Sequence, residues 1–320
     1  MSFNVKRFSQ NGLSFVGLQD TATNTFIAIL PQFGALLHAF EFPVEGAPLN
    51  IIDNYSDKDD VDQSLAISYK SSKLSPFVCR LRDGKYNLDG RDYEISQKFN
   101  DGNAIHGLLY NKPFKIVDDF ADDNLAAVSL RYHYKKEEAG YPFDYVCDVR
   151  YTLLPQQTLQ IETTILNLSE EAMPLADGWH PYFQLGGIID NYEFQFSSDT
   201  LVEFDEGLIP TGKLIHDPSF ANPSLIGNRQ LDNCFVVQPI DQRPCCVMYN
   251  PANHVWLSIF TNSHYPYLQI YTPSHRKSIA IENLSGAPDC FNNGMGLLML
   301  PPRRSQTFTV WYQAGVAEND

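Results

Sequence analysis

The chain has 320 residues, with 23 Lys and Arg against 38 Asp and Glu and a formal net charge of −15. That balance argues against a nucleic-acid partner, because phosphates are held by clustered cations. Apolar residues make up 43% and charged residues 19%, a globular composition and not a disordered one, in a chain long enough to bury a large core.

The first residues, Met1-Ser2-Phe3-Asn4-Val5-Lys6-Arg7, have no apolar run behind the basic pair, so no secretory leader is expected. No stretch approaches the ~18 apolar residues of a membrane span, and the expected compartment is the cytoplasm. The stretch from Asp53 to Asp62 carries five aspartates. A calcium loop counted from Asp53 needs Gly at its sixth position and Glu at its twelfth, where this chain has Lys58 and Ser64. A solvated loop is therefore expected there, followed by a short helix around Val61 to Tyr69.

Beyond it, period-two alternation dominates. Val128, Leu130, Tyr132 and Tyr134 form one such run; Leu159, Ile161, Thr163 and Ile165 another; then Tyr192, Phe194 and Phe196; then Phe308, Val310 and Tyr312. Alternation of this kind marks strands with one wet and one buried face. Turn pairs such as Asp83-Gly84, Asp89-Gly90 and Gly186-Gly187 punctuate them. No long amphipathic helical stripe and no βαβ alternation appear, which predicts an all-β chain, a large antiparallel β-sandwich forming a single domain over residues 1–320. The six cysteines show no CxxC pair and no zinc-like spacing with histidine, and buried, reduced thiols are expected. The C-terminal Glu318-Asn319-Asp320 is expected to fray.

Serine-hydrolase, HExxH, P-loop and dinucleotide-binding motifs are all missing, so no cofactor or metal is indicated. Three segments stand out: Asn103-Ala104-Ile105-His106-Gly107-Leu108, Asp177-Gly178-Trp179-His180-Pro181-Tyr182-Phe183, and Ile279-Ala280-Ile281-Glu282-Asn283-Leu284. Each sets one ionisable side chain among apolar neighbours. Burial raises a Glu pKa and lowers a His pKa, the shifts that suit an acid–base pair. Taken singly, a His beside Gly reads first as structural, Glu282 as an edge residue or partner of an Arg, and Trp179 equally as core or as a sugar-stacking platform.

Together these segments resemble the aldose 1-epimerase (galactose mutarotase) family, over roughly residues 20 to 313. Pro31-Gln32-Phe33-Gly34-Ala35 is similar to the family's opening strand and turn. Pro76-Phe77-Val78-Cys79-Arg80-Leu81 is similar to "PFxNRI", and Leu208-Ile209-Pro210-Thr211-Gly212 to "xxPTG". The resemblance implies a mutarotase-like sandwich acting on a small-molecule sugar or sugar phosphate without a cofactor. It implies His180, in "HxYF", and Glu282 as the catalytic acid and base. Arg80, His106 of "HG" and Asp232 of "D-x-x-F" would bind substrate, with Trp179 and Tyr182 packing on the sugar face. Cys79 stands where the common form has Asn, Asn283 where it has Pro, and Gly178-Trp179 where an Asn precedes the histidine. Such departures resemble a divergent branch that includes hexose-6-phosphate epimerases. A sugar-phosphate epimerase, with Arg82, Lys85 and Lys112 as candidate phosphate ligands, and a non-catalytic carbohydrate-binding or regulatory protein are the competing expectations.

Overall fold

The computed structural model describes residues 2–240 and 242–318, so Asn319 and Asp320 of the expected frayed end lie outside the described residues. Phe3–Asn50 form a five-stranded meander. A nine-stranded sheet runs in the order Lys115–Ala121, Ala126–Lys135, Asp144–Leu154, Thr158–Asn167, Ser305–Val316, Val255–Thr261, Cys246–Asn250, Glu193–Phe196 and Ser224–Leu225. An eight-stranded sheet faces it. Its path runs Pro210–His216, Thr200–Phe204, Asp232–Val236, Tyr267–Tyr271, Ile279–Leu284, Gly178–His180 and Ser72–Leu74, with Tyr182–Phe183 paired to Ile279–Leu284. Neighbours in the two large sheets pair antiparallel, giving the expected antiparallel sandwich.

The alternation in the sequence decides which faces meet. In Thr158–Asn167 every second residue from Leu159 onward is buried. The inner faces of the two large sheets join through aromatic contacts: Tyr151 with Trp179 at 6.1 Å, Phe183 with Tyr312 at 5.2 Å, and Phe196 with Phe235 at 4.6 Å between ring centroids. Aromatic pairs at such separations add to the burial of their area. One continuous cluster of buried apolar side chains runs from Phe3 to Ala314. Asp89 and Gly90 link Lys85–Leu88 to Arg91–Glu94 with φ of 50° and 79°, the two positive values that a two-residue I′ turn needs. All six cysteines are buried and unpaired, and no described helix is long and apolar enough to cross a membrane.

The acidic stretch departs from the expected loop. The helix spans Lys58–Ser68 and begins inside it, because the Asp57 carboxylate accepts from Asp60 N at 2.9 Å and so caps the first turn. Asp59 and Asp60 then lie at the positive end of the helix dipole. Tyr69 closes the helix in the left-handed region, its N–H reaching Leu65 O.

Candidate active site

The strand Ile279–Leu284 is buried along its whole length. It is the central rail of the site. On one side it pairs with Tyr267–Tyr271, which sets Gln269 opposite Glu282; on the other it pairs with Gly178–His180 through Trp179 and Asn283. Successive side chains of a strand point to opposite faces, so Trp179 and His180 part company. His180 turns toward Glu282, and its Nε2 lies 3.3 Å from Glu282 Oε1. Trp179 turns into the sandwich, where it meets Tyr151 and lies under Lys73 Nζ at 4.5 Å from its ring centroid. Trp179 does not line the cavity, so the sugar-platform reading of this residue is corrected to a core one.

A cavity of about 590 Å³ opens over the pair, within the range of small-molecule sites. Its wall includes Arg80, His106, His180, Tyr182, Asp232 and Glu282, six of the seven residues singled out in the sequence. The short pairing of Arg80–Leu81 with Ala104–Ile105 carries Arg80 and His106 to this wall, and His106 N continues it by donating to Cys79 O at 2.9 Å. Gly107 makes the close approach possible. It has a φ of 78°, and a Cβ there would fall 2.3 Å from Ser75 O.

The His106 ring stands edge-on to His180 at 4.8 Å and meets Tyr69 at 4.6 Å. Tyr182 stacks nearly parallel on His180, 5.0 Å and 11° away. Arg80 Nε donates to Asp101 at 2.8 Å and remains part-exposed to the cavity. Asp232 accepts from Gln269 Nε2 at 2.7 Å.

Burial dominates the electrostatics. His180 is driven down to about 3, and His106 well below the ordinary histidine value by burial and the neighbouring His180 and Arg80. Glu282 is pushed well above the ordinary glutamate value by burial and by Asp232. Asp232 is raised by burial, with Arg80 pulling it back. Burial thus favours a neutral imidazole beside a protonated carboxyl. That state holds the same number of protons as an imidazolium beside a carboxylate, so a single proton moved across the 3.3 Å gap interconverts the two.

A model of the family described as aldose 1-epimerase matches residues 18–313. The chain belongs to the aldose 1-epimerase family. Membership makes it an isomerase of sugars, with a small-molecule sugar as substrate. Among its relatives, the uncharacterized protein YihR of Escherichia coli K12 is 26% identical over 256 residues, covering 74% of this chain and 77% of that protein. The maltose epimerase of Levilactobacillus brevis is 22% identical over 316 residues, covering 90% and 91%. A galactose mutarotase-like protein from Clostridium acetobutylicum shares the fold with a TM-score of 0.88 at 19% identity, covering 99% of both chains.

In the sequence Cys79 stands out only as a departure from the family pattern, and Gln269 belongs to none of its motifs. Cys79 lies on the cavity wall, with its thiol 3.9 Å from Glu282 Oε2. Gln269 orients Asp232. A polar residue between Leu268 and Ile270 in an otherwise apolar strand was the available signal.

Proposed function

We propose that the protein is a mutarotase that interconverts the α and β anomers of an unphosphorylated aldose, with Glu282 and His180 as the acid–base pair. The observation that carries this reading is the 3.3 Å approach of His180 Nε2 to Glu282 Oε1 at the wall of the cavity. The C1 hydroxyl and the ring oxygen of a hexose share one carbon, so two proton-carrying atoms this close can serve both at once. In the ion-pair form Glu282 takes the proton from the C1 hydroxyl while His180 protonates the ring oxygen. The C1–O5 bond opens to the aldehyde, C1 turns about the C1–C2 bond, and the ring closes on the other face with the two roles exchanged. Arg80, His106 and Asp232 hold the remaining hydroxyls, and alignment of this kind is worth on the order of 10²-fold per ångström.

The charges around the cavity favour a neutral sugar over a sugar phosphate. Its two cations are already engaged, Lys70 with Asp53 at 2.7 Å and Arg80 with Asp101 at 2.8 Å. Arg82, Lys85 and Lys112 lie off the cavity wall and pair with Asp205, Glu94 and Glu137. Polarimetric relaxation of freshly dissolved α-glucose, α-galactose, maltose and α-glucose 6-phosphate tests the reading. The protein is expected to accelerate at least one free sugar and to leave the phosphate near its spontaneous rate. Acceleration of none of them overturns the proposal, and a preference for the phosphate overturns its substrate class.

The pH dependence follows from the shifts. Acid removes the base only when the pair takes up a second proton, which burial delays to about 3 at His180, far below the ordinary 6.5. Alkali removes the acid only when the pair loses its last proton, which burial delays to well above the ordinary 4.5 of a glutamate. The expected profile of kcat/KM, which reports the free enzyme, has its acid limb displaced far below the ordinary histidine value of 6.5 and falls on the alkaline side, after subtraction of the spontaneous rate. An acid limb with its half-height near 6.5 would show a solvated histidine instead.

A further inference from the structure

Cys79, His106 and Glu282 lie on separate segments of the chain, yet one ligand atom from each falls within 4.8 Å of the others, and all three side chains are buried. This is a borderline-soft donor set of thiol sulfur, imidazole nitrogen and carboxylate oxygen, the kind that suits zinc and its neighbours among the divalent ions. The proposed acid–base reaction uses the carboxyl and the His106 ring but has no task for the thiol. A second observation points the same way: His106, 7% exposed and on the cavity wall, has a buried Nδ1 with no hydrogen-bond partner.

We propose that the floor of the cavity is a binding site for a thiophilic divalent cation of the zinc class, held by Cys79 Sγ, His106 and Glu282, which excludes the sugar and so inhibits the enzyme. The geometry is near what such an ion needs. Bonds of about 2.3 Å to sulfur and 2.0 Å to oxygen at a tetrahedral angle set those two atoms about 3.5 Å apart, and Cys79 Sγ lies 3.9 Å from Glu282 Oε2. The backbone bond from His106 N to Cys79 O ties two of the ligands side by side. His180 Nε2, 3.3 Å from the other Glu282 oxygen, stands next to the three. Because Glu282 belongs to both sites, ion and sugar cannot be bound productively together. Inhibition by the ion rests on the mutarotase reading; binding of the ion does not.

The test uses the full chain with Zn²⁺ alone in calorimetry and Co²⁺ as a spectroscopic probe. Wild type is expected to bind one Zn²⁺ per chain and to give a thiolate-to-Co²⁺ charge-transfer band in the near ultraviolet. Cys79→Ser is expected to lose the band and to bind Zn²⁺ weaker by on the order of 10²-fold, the upper end of what even an outer partner of a metal ligand is worth. A sugar that the enzyme turns over is expected to raise the apparent Zn²⁺ dissociation constant in proportion to its concentration. A wild-type Co²⁺ complex without the thiolate band overturns the site with no reliance on any variant, as does Cys79→Ser retaining wild-type Zn²⁺ affinity. Binding that persists with no sugar turned over leaves the metal site standing and removes the mutarotase reading.

Discussion

Replacing Glu282 by Gln, or His180 by Asn, is expected to lower the mutarotation rate by on the order of 10² to 10⁴-fold, the range of a positioned general acid or base. Each substitution keeps the shape and hydrogen-bonding size of the side chain and removes its ability to carry the proton. Glu282 and His180 are 2% and 5% exposed, so bulk water cannot readily replace the missing group. Burial has already biased both toward their neutral forms, and a neutral amide at either position disturbs the fold little. Thermal unfolding should therefore move far less than the rate. The two groups act as one proton relay, so the double variant is expected to be hardly slower than either single one. Polarimetry on the best free sugar, with circular dichroism melts alongside, checks all three expectations. Wild-type rates in both single variants would falsify the pairing.

Lys73→Met is expected to destabilise the protein by about 3–5 kcal/mol, the usual result of stripping one partner from a buried ion pair. Lys73 Nζ lies 2.6 Å from the Asp177 carboxylate, with both side chains wholly buried, and it also donates to Gly178 O at 3.1 Å. Tyr265 OH donates to the same carboxylate at 2.7 Å, and the Trp179 ring covers the ammonium. Without the lysine, Asp177 must ionise uncompensated or stay protonated in the interior. Lys73→Met combined with Asp177→Asn leaves no buried charge, and its loss is expected to be smaller than the sum of the two single losses, as for residues in direct contact. Urea unfolding midpoints for the four proteins give the comparison; additive losses would sink the argument. The pair anchors the first residue of Gly178–His180, so the Lys73→Met protein is also expected to show a raised KM.

The sheet sandwich was legible because its signal is local. In Leu159, Ile161, Thr163 and Ile165 the period of two is printed in consecutive residues, and burial follows it position by position. The start of the helix was less legible, since Asp57 acts as a cap only once the backbone has turned, and the surrounding aspartates resembled a solvated loop. Trp179 and His180 show the limit most clearly. Adjacent residues in a strand must face opposite ways, which sequence alone requires; which of the two meets the core depends on the sheet that packs behind, and Tyr151 of that sheet supplies the answer.

What the sequence determined by itself was the class of fold, the chemistry on offer and the family. What only the tertiary structure decided was company. His180 and Glu282 are brought to 3.3 Å by strand pairing across a hundred intervening residues, and Cys79 joins His106 and Glu282 with no spacing that announces it. The physical reason is that side-chain alternation is fixed by each strand's own backbone, whereas a strand's neighbours, and with them the burial that shifts these groups, are set by the packing of the whole sandwich.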